Sequence, residues 1–161
     1  MSLELSSCLT WGAIATIVMT TTLAFAQGLG LTRMNMPYLL GSMVTSHRDR
    51  ARLIGILTHA FNGFAFSILY ALVFDAWGGA TWWRGALLGV LQSCFLLAVV
   101  LPAMPALHPR MASETAGPTV TRQLEPPGFL GLHYGPSTPA CALAAHVAYG
   151  IIVGAFYVGR P

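Results

Sequence analysis

The sequence contains no lysine. Its positive charge is carried by eight arginines against five acidic residues, and charged residues make up only 8% of the 161. A soluble domain carries about a quarter charged residues, so water is not the solvent for most of this surface. The isoelectric point of about 9.0 does not point to nucleic acid. The arginines sit in loops beside apolar runs, with no basic surface interleaved with aromatics. Cysteine is scarce: Cys8, Cys94 and Cys141 are scattered and odd in number, which gives neither a disulfide framework nor a zinc signature. Cys94 lies within an apolar run and reads as a small packing residue. Catalytic motifs are missing as well. There is no nucleophile elbow, no phosphate-cradling glycine loop, no HExxH and no pair of carboxylates within an apolar run. These absences predict a chain that is not an enzyme.

What the sequence does have is apolar length. Hydrophobic residues make up 55% of it, and the mean hydropathy is +0.67. Four runs stand out, roughly Thr10–Leu31, Leu53–Trp77, Arg84–Leu107 and Ala140–Gly159. Each is near or above the ~20 residues that cross a ~30 Å hydrocarbon core. Without water to satisfy the backbone, runs of this kind must be helices. The expected fold is all-α: a single integral membrane domain of four transmembrane helices over residues 1–161, its direct partner the lipid bilayer. The first run is expected to be a span and not a signal peptide, because Met1–Ser7 has no basic residue and carries Glu4. Trp11, Trp77, Trp82 and Trp83 fall near run ends on one side, as an aromatic belt does.

Arginine placement predicts orientation. Arg33, Arg48, Arg50, Arg52, Arg110 and Arg122 lie in the loops 32–52 and 108–139, whereas only Arg84 and Arg160 lie on the other side. The positive-inside rule makes those two loops cytoplasmic and puts both termini outside. The apolar first half of loop 32–52 reads as a short interfacial helix, and His47–Arg52 as a charged stop at the head groups. Loop 108–139 is longer than an ordinary connection. Its first half, rich in Pro, Gly, Ser and Thr, is expected to be flexible. Its apolar second half, Gly128–Gly135, is expected to pack on the membrane face or on a partner.

An internal repeat organises the runs. Gly12-Ala13 opens the first and Gly85-Ala86 the third. The second carries His59, three residues to Asn62, then Gly63, with Tyr70 eleven residues after the histidine; the fourth repeats this with His146, Tyr149, Gly150 and Tyr157. Eleven helical residues rise about 16 Å and close nearly three turns, so each His and Tyr share a stripe. The expectation is two pseudo-repeated helical hairpins about an axis along the membrane normal.

His59 and His146 then fall at matching depths. Ionisable residues within a membrane usually face the interior. Three roles fit them: neutral imidazoles bonded across helices to fix packing; the two axial ligands of a b-type haem, with Gly63 and Gly150 clearing space for the macrocycle; or a metal or proton site. A four-imidazole site adding His108 and His133 is a further arrangement, which the spacing does not enforce. Gly63, Gly85, Gly89, Gly150 and Gly154 are spaced for close helix approach. Tyr70 and Tyr157 read as interface anchors, and Asp75 with Arg84 as an exposed ion pair.

Leu40-Gly-Ser-Met43 in the first loop and Ala145-His-Val-Ala-Tyr-Gly150 in the last run resemble short motifs of a set of bacterial four-helix membrane proteins. That resemblance implies a multi-pass protein of the bacterial cytoplasmic membrane. It implies no established activity and carries over no functional residue. The expected function is that of an accessory or assembly subunit of a larger membrane complex, for instance an energy-transducing one, packing against other integral membrane proteins. The alternatives are a haem-b or metal-binding electron-transfer protein using His59 and His146, and a small-molecule or ion carrier working as a homo-oligomer.

Overall fold

The computed structural model describes residues 4–159 and is all-helical, with no strand among those residues. The elements are α1 (Leu5–Gly28), α2 (Met36–Ser42), α3 (Arg48–Ala76), α4 (Trp82–Phe95), a π-helical segment (Leu96–Val100), α5 (Leu101–Leu107), a 3-10 stretch (Phe129–Tyr134) and α6 (Thr138–Phe156). Four helical lengths are long and apolar enough to cross a membrane: Leu5–Gly28, Arg48–Ala76, Trp82–Leu107 and Thr138–Phe156.

Local chemistry explains the boundaries. In α1 the hydroxyls of Thr16, Thr20 and Thr22 donate to the carbonyls of Gly12, Thr16 and Val18, at 2.7, 2.7 and 2.8 Å. This internal pairing lets threonine sit in an apolar helix without a stranded donor. Asn35 caps α2, its side chain accepting from the Tyr38 N–H at 3.0 Å, and Pro37 follows in the first turn, where its missing N–H costs nothing. The cluster expected to be a head-group loop instead opens α3, which starts at Arg48. A helix need not end where the hydrocarbon does, since its first turns can be satisfied by water and by exposed charges.

The third span runs on past Pro102. A proline inside a helix removes one donor and crowds the carbonyl four residues back. The π segment precedes it: the Leu101 N–H reaches the Leu96 carbonyl, five residues back. The widened turn absorbs the proline and the helix continues to Leu107.

The chain forms two compact units, neither of which is a hairpin. One draws on residues 4–22, 59–93 and 143–159, the other on residues 23–58 and 94–142. In the first, Tyr149 and Phe74 are fully buried. Tyr70 sets its edge against Tyr149 at 5.6 Å and against Phe74 at 6.1 Å, and Phe74 meets Tyr157 at 6.2 Å. Trp11 stacks on Phe156 at 4.5 Å. In the second, Met34, Leu101, His108, Met111 and Thr138 are fully buried, and the Thr32 and Thr138 hydroxyls bond at 2.7 Å.

The long loop belongs to this second unit, and its first half is folded. The Ala112 N–H donates to the Leu124 carbonyl at 2.8 Å, and the Leu124 N–H to the Arg110 carbonyl at 3.0 Å. Arg33 holds Glu125 with both terminal guanidinium nitrogens, Nη1 and Nη2, at 2.8 and 3.0 Å. The flexibility expected from composition gives way to these pairings. Arg160, used in the orientation argument, lies outside the described residues.

Candidate functional site

His59 on α3 and His146 on α6 are both buried, and each lies within electrostatic range of the other in the first unit. The Nε2 of His59 is enclosed and has no hydrogen-bond partner among the described residues. The Ser93 hydroxyl, on α4, is likewise buried without one. A polar atom sealed from water and unpaired costs about 1–3 kcal/mol, so a native structure that keeps one calls for an explanation.

The glycines expected to mark packing all sit at close helix approaches. A methyl on Gly85 would collide with the Gly150 carbonyl oxygen and stand 3.0 Å from the Gly154 Cα. One on Gly150 would collide with the Gly85 carbonyl oxygen, and one on Gly89 with that of His146. At Gly154 it would meet the Thr81 carbonyl, with the Gly85 Cα at 2.9 Å. At Gly63 it would run into the Thr16 side chain. On the facing helix Gly12 abuts Ser67, whose hydroxyl donates to the Cys8 carbonyl at 3.0 Å.

These contacts fill the room expected for a macrocycle. Thr16 occupies the notch at Gly63, and the Tyr149 hydroxyl donates to the Gly63 carbonyl. The backbone of Gly85 occupies the notch at Gly150.

Other positions differ from expectation. Tyr70 and Tyr157, expected as interface anchors, are buried within the unit. The Tyr70 hydroxyl donates to the Gln92 side chain at 2.6 Å, and that of Tyr157 accepts from the Glu4 N–H at 3.4 Å. A helical side chain leans toward the N-terminus of its helix, which carries the Tyr70 hydroxyl inward. Asp75 and Arg84 do not pair. Arg84 donates to the Gly79 carbonyl, and one Asp75 oxygen is buried without a partner among the described residues.

In the second unit His108 and His133 go to different places. His133 Nδ1 lies 3.0 Å from the Pro126 carbonyl and 3.8 Å from Glu114. His108 lies with its Nε2 3.0 Å from the Leu39 carbonyl and 3.2 Å from the Ser42 hydroxyl, while its Nδ1 accepts the Arg110 N–H at 3.1 Å. This pattern assigns a neutral ring protonated at Nε2. Burial lowers the His108 pKa; the bond to the Leu39 carbonyl opposes this, and the Arg110 guanidinium lowers it further. No group of three or more potential metal ligands occurs among the described residues.

Sequence reasoning missed this His108–Ser42–Arg110 cluster, and it missed the Tyr149–Gly63 bond. The second had a signal: Tyr149 precedes Gly150 as Asn62 precedes Gly63, so a polar group was already placed at that level of both helices. The first had none, because Ser42 stands 66 residues from His108 and 68 from Arg110. No protein-family model, curated protein or solved structure matches the chain.

Proposed function

We propose that this chain is a non-enzymatic multi-pass membrane protein that serves as an accessory or assembly subunit of a larger membrane complex, with its arginine-rich loops on the cytoplasmic side. The observation that carries this reading is the turn at Gly128–Gly135. Leu130 is held at φ 57 beside Gly131 at φ 70. Left-handed backbone on a leucine costs on the order of 1–3 kcal/mol and persists only where its surroundings impose it. Here Gly131 is clamped against Leu101 and Thr138. The result is that Phe129 and Leu132 stand out from the unit, 61% and 47% exposed. A strained turn that displays two large apolar side chains suits a surface made to be covered by another protein.

Duplication fits the same reading. Gly12 faces Gly63 and Ser67, and Gly85 faces Gly150 and Gly154, positions that correspond at a constant offset in each pair of helices. Two like hairpins closed on their own glycine seams leave their outer faces for lipid and neighbours.

The test is a native gel of membranes extracted in mild detergent. Co-migration with a larger complex, lost in a Phe129→Ser/Leu132→Ser variant that keeps its helicity, is the expected result. Migration of the wild type only as a free monomer or homo-oligomer would overturn the proposal.

The unpaired His59 Nε2 beside His146 favours one second reading, a small site for a metal ion or a proton. The filled notches at Gly63 and Gly150 favour such a small guest over a b-type haem. Metal analysis and an absorption spectrum of purified protein decide it. A stoichiometric metal that disappears in His59→Ala would install this reading, whereas a Soret band would reinstate the haem in its place.

A further inference from the structure

We propose that the cavity of about 520 Å³ in the second unit binds a phosphate ester, with Arg110 as its principal partner. The volume falls within the ~300–1,000 Å³ of small-ligand sites. Arg110 is the only charged residue in the lining, and no carboxylate lines the cavity. Hydroxyl or amide groups come from Tyr38, Thr45, Ser46, Thr121 and Gln123. A cavity with one guanidinium, several neutral donors and no acid suits an anion that accepts many hydrogen bonds.

Arg110 is positioned in advance. Its N–H is fixed on His108, and its Nη1 donates to the Ser42 carbonyl at 2.6 Å and the Met43 carbonyl at 3.3 Å. A guanidinium has five donor hydrogens. Those on Nε and Nη2 have no acceptor among the described residues, and no carboxylate pairs with Arg110 there. Arg122 adds charge of the same sign, since its field also reaches His108. Glu114, the acid nearest to Arg110 in sequence, accepts the Gly128 N–H and lies 3.8 Å from His133. Glu125 lines an adjoining, smaller cavity that shares Tyr38 and Leu124 with the first, and is held by Arg33.

The phosphate could belong to a lipid head group or to a soluble ester, and the surroundings favour the lipid. Pro109 and Arg110 lie within three residues of the end of the helix at Leu107, and Thr45 and Ser46 within three residues of the start of the one at Arg48. Residues at the ends of two spanning lengths lie at head-group depth. Val44, Leu107 and Val120 are large, apolar and exposed in the same unit, Val120 at 92%. They provide contacts for acyl chains beside a polar hollow. Basic pockets on the cytoplasmic side of membrane proteins bind anionic head groups by this chemistry.

The experiment uses the full chain in a neutral detergent. Binding is measured for short-chain phosphatidic acid, glycerol 3-phosphate and, as the zwitterionic control, short-chain phosphatidylcholine. Phosphatidic acid is expected to bind at least tenfold more tightly than phosphatidylcholine. Arg110→Gln should weaken that binding at least tenfold. Arg110 also caps α2, so a second variant, Tyr38→Phe/Thr121→Val, serves if the first loses helicity. Neither hydroxyl makes a bond within the protein among the described residues, and the pair should cost three- to tenfold. Binding of phosphatidic acid alone assigns the site to lipid, whereas equal binding of glycerol 3-phosphate assigns it to a soluble ester. Absence of binding by both phosphate esters, or binding indifferent to both variants, would overturn the proposal.

Discussion

Replacing Gly150 by alanine places a methyl group where the structure has a backbone. The new Cβ would overlap the Gly85 carbonyl oxygen and stand 2.8 Å from its carbon and 3.1 Å from the Gly89 nitrogen. Carbon–carbon contact is comfortable only from about 3.5 Å, so α4 and α6 must separate by roughly 0.7 Å or more along this seam. Neither partner is a flexible side chain that could swing away. A gap of ~0.5–1 Å forfeits a quarter to a half of each contact's attraction, and overpacking of this sort costs about 1–3 kcal/mol. Alanine recovers about 1 kcal/mol of helix propensity, which leaves a net loss of about 0–2 kcal/mol. The control is Gly28→Ala in α1, where an added methyl meets nothing within 4 Å. There only the propensity gain applies, trimmed because Gly28 ends its helix. The assay is unfolding in mild detergent with an SDS titration, followed by far-ultraviolet circular dichroism. The double variant Gly85→Ala/Gly150→Ala should lose less than the sum of the single ones, because helices already separated accept the second methyl. If Gly150→Ala proves as stable as Gly28→Ala, the seam is not a close-packed contact and the reasoning fails.

Four further outcomes follow from other positions in the structure. Tyr149→Phe removes the hydroxyl that satisfies the Gly63 carbonyl, and should cost about 1–2 kcal/mol in the same titration with helix content unchanged. His108→Ala strands the Arg110 N–H and the Leu39 carbonyl, for a loss of about 2–3 kcal/mol. The pH dependence has a definite sign. The folded pKa of His108 is lowered, so the unfolded chain binds the extra proton. The stabilisation is complete above the unfolded value of about 6.5 and is lost as pH falls from there toward the folded value. Thermal midpoints from pH 8 to pH 5 should therefore decline more steeply in the wild type than in His108→Ala; parallel profiles would remove His108 as the cause. Finally, Cys94 is exposed whereas Cys8 is buried. In detergent a small maleimide should label Cys94 and spare Cys8. In liposomes a membrane-impermeant maleimide should miss Cys94 as well, and efficient labelling there would place that face of α4 in water and not in lipid.

The four spans were legible because lipid imposes a local demand: a contiguous stretch without charge, and the sequence has four. The glycine seams were legible for a related reason, since Gly85 and Gly89, or Gly150 and Gly154, fall one turn apart on their own helix. Helix ends were less so. The first turns of α3 carry Arg48, Asp49, Arg50 and Arg52, which hydropathy assigns to a loop although nothing in those residues stops a helix. The π segment before Pro102 was hidden too, because a proline signals disruption without saying whether the helix ends or widens.

What could not be read is the chemistry of the loops, and the reason is distance along the chain. Arg33 meets Glu125 across 92 positions, and Ser42 meets His108 across 66. Neither partner announces the other, since an arginine in a membrane loop is already accounted for by the positive-inside rule. Opposite charge misled at the short turn after α3. Asp75 and Arg84 look like a pair because they are opposite charges nine positions apart. Gly78 and Gly79, at φ 78 and 128, instead bend the backbone so that the Gly79 carbonyl takes the guanidinium. A charge in this protein is therefore informative only once its backbone partners are known. By that criterion Arg84 is occupied by structure and Arg33 by Glu125. Arg110 is different: its backbone contacts engage one guanidinium nitrogen and leave Nε and Nη2 without an acceptor among the described residues, beside a cavity that no acid lines.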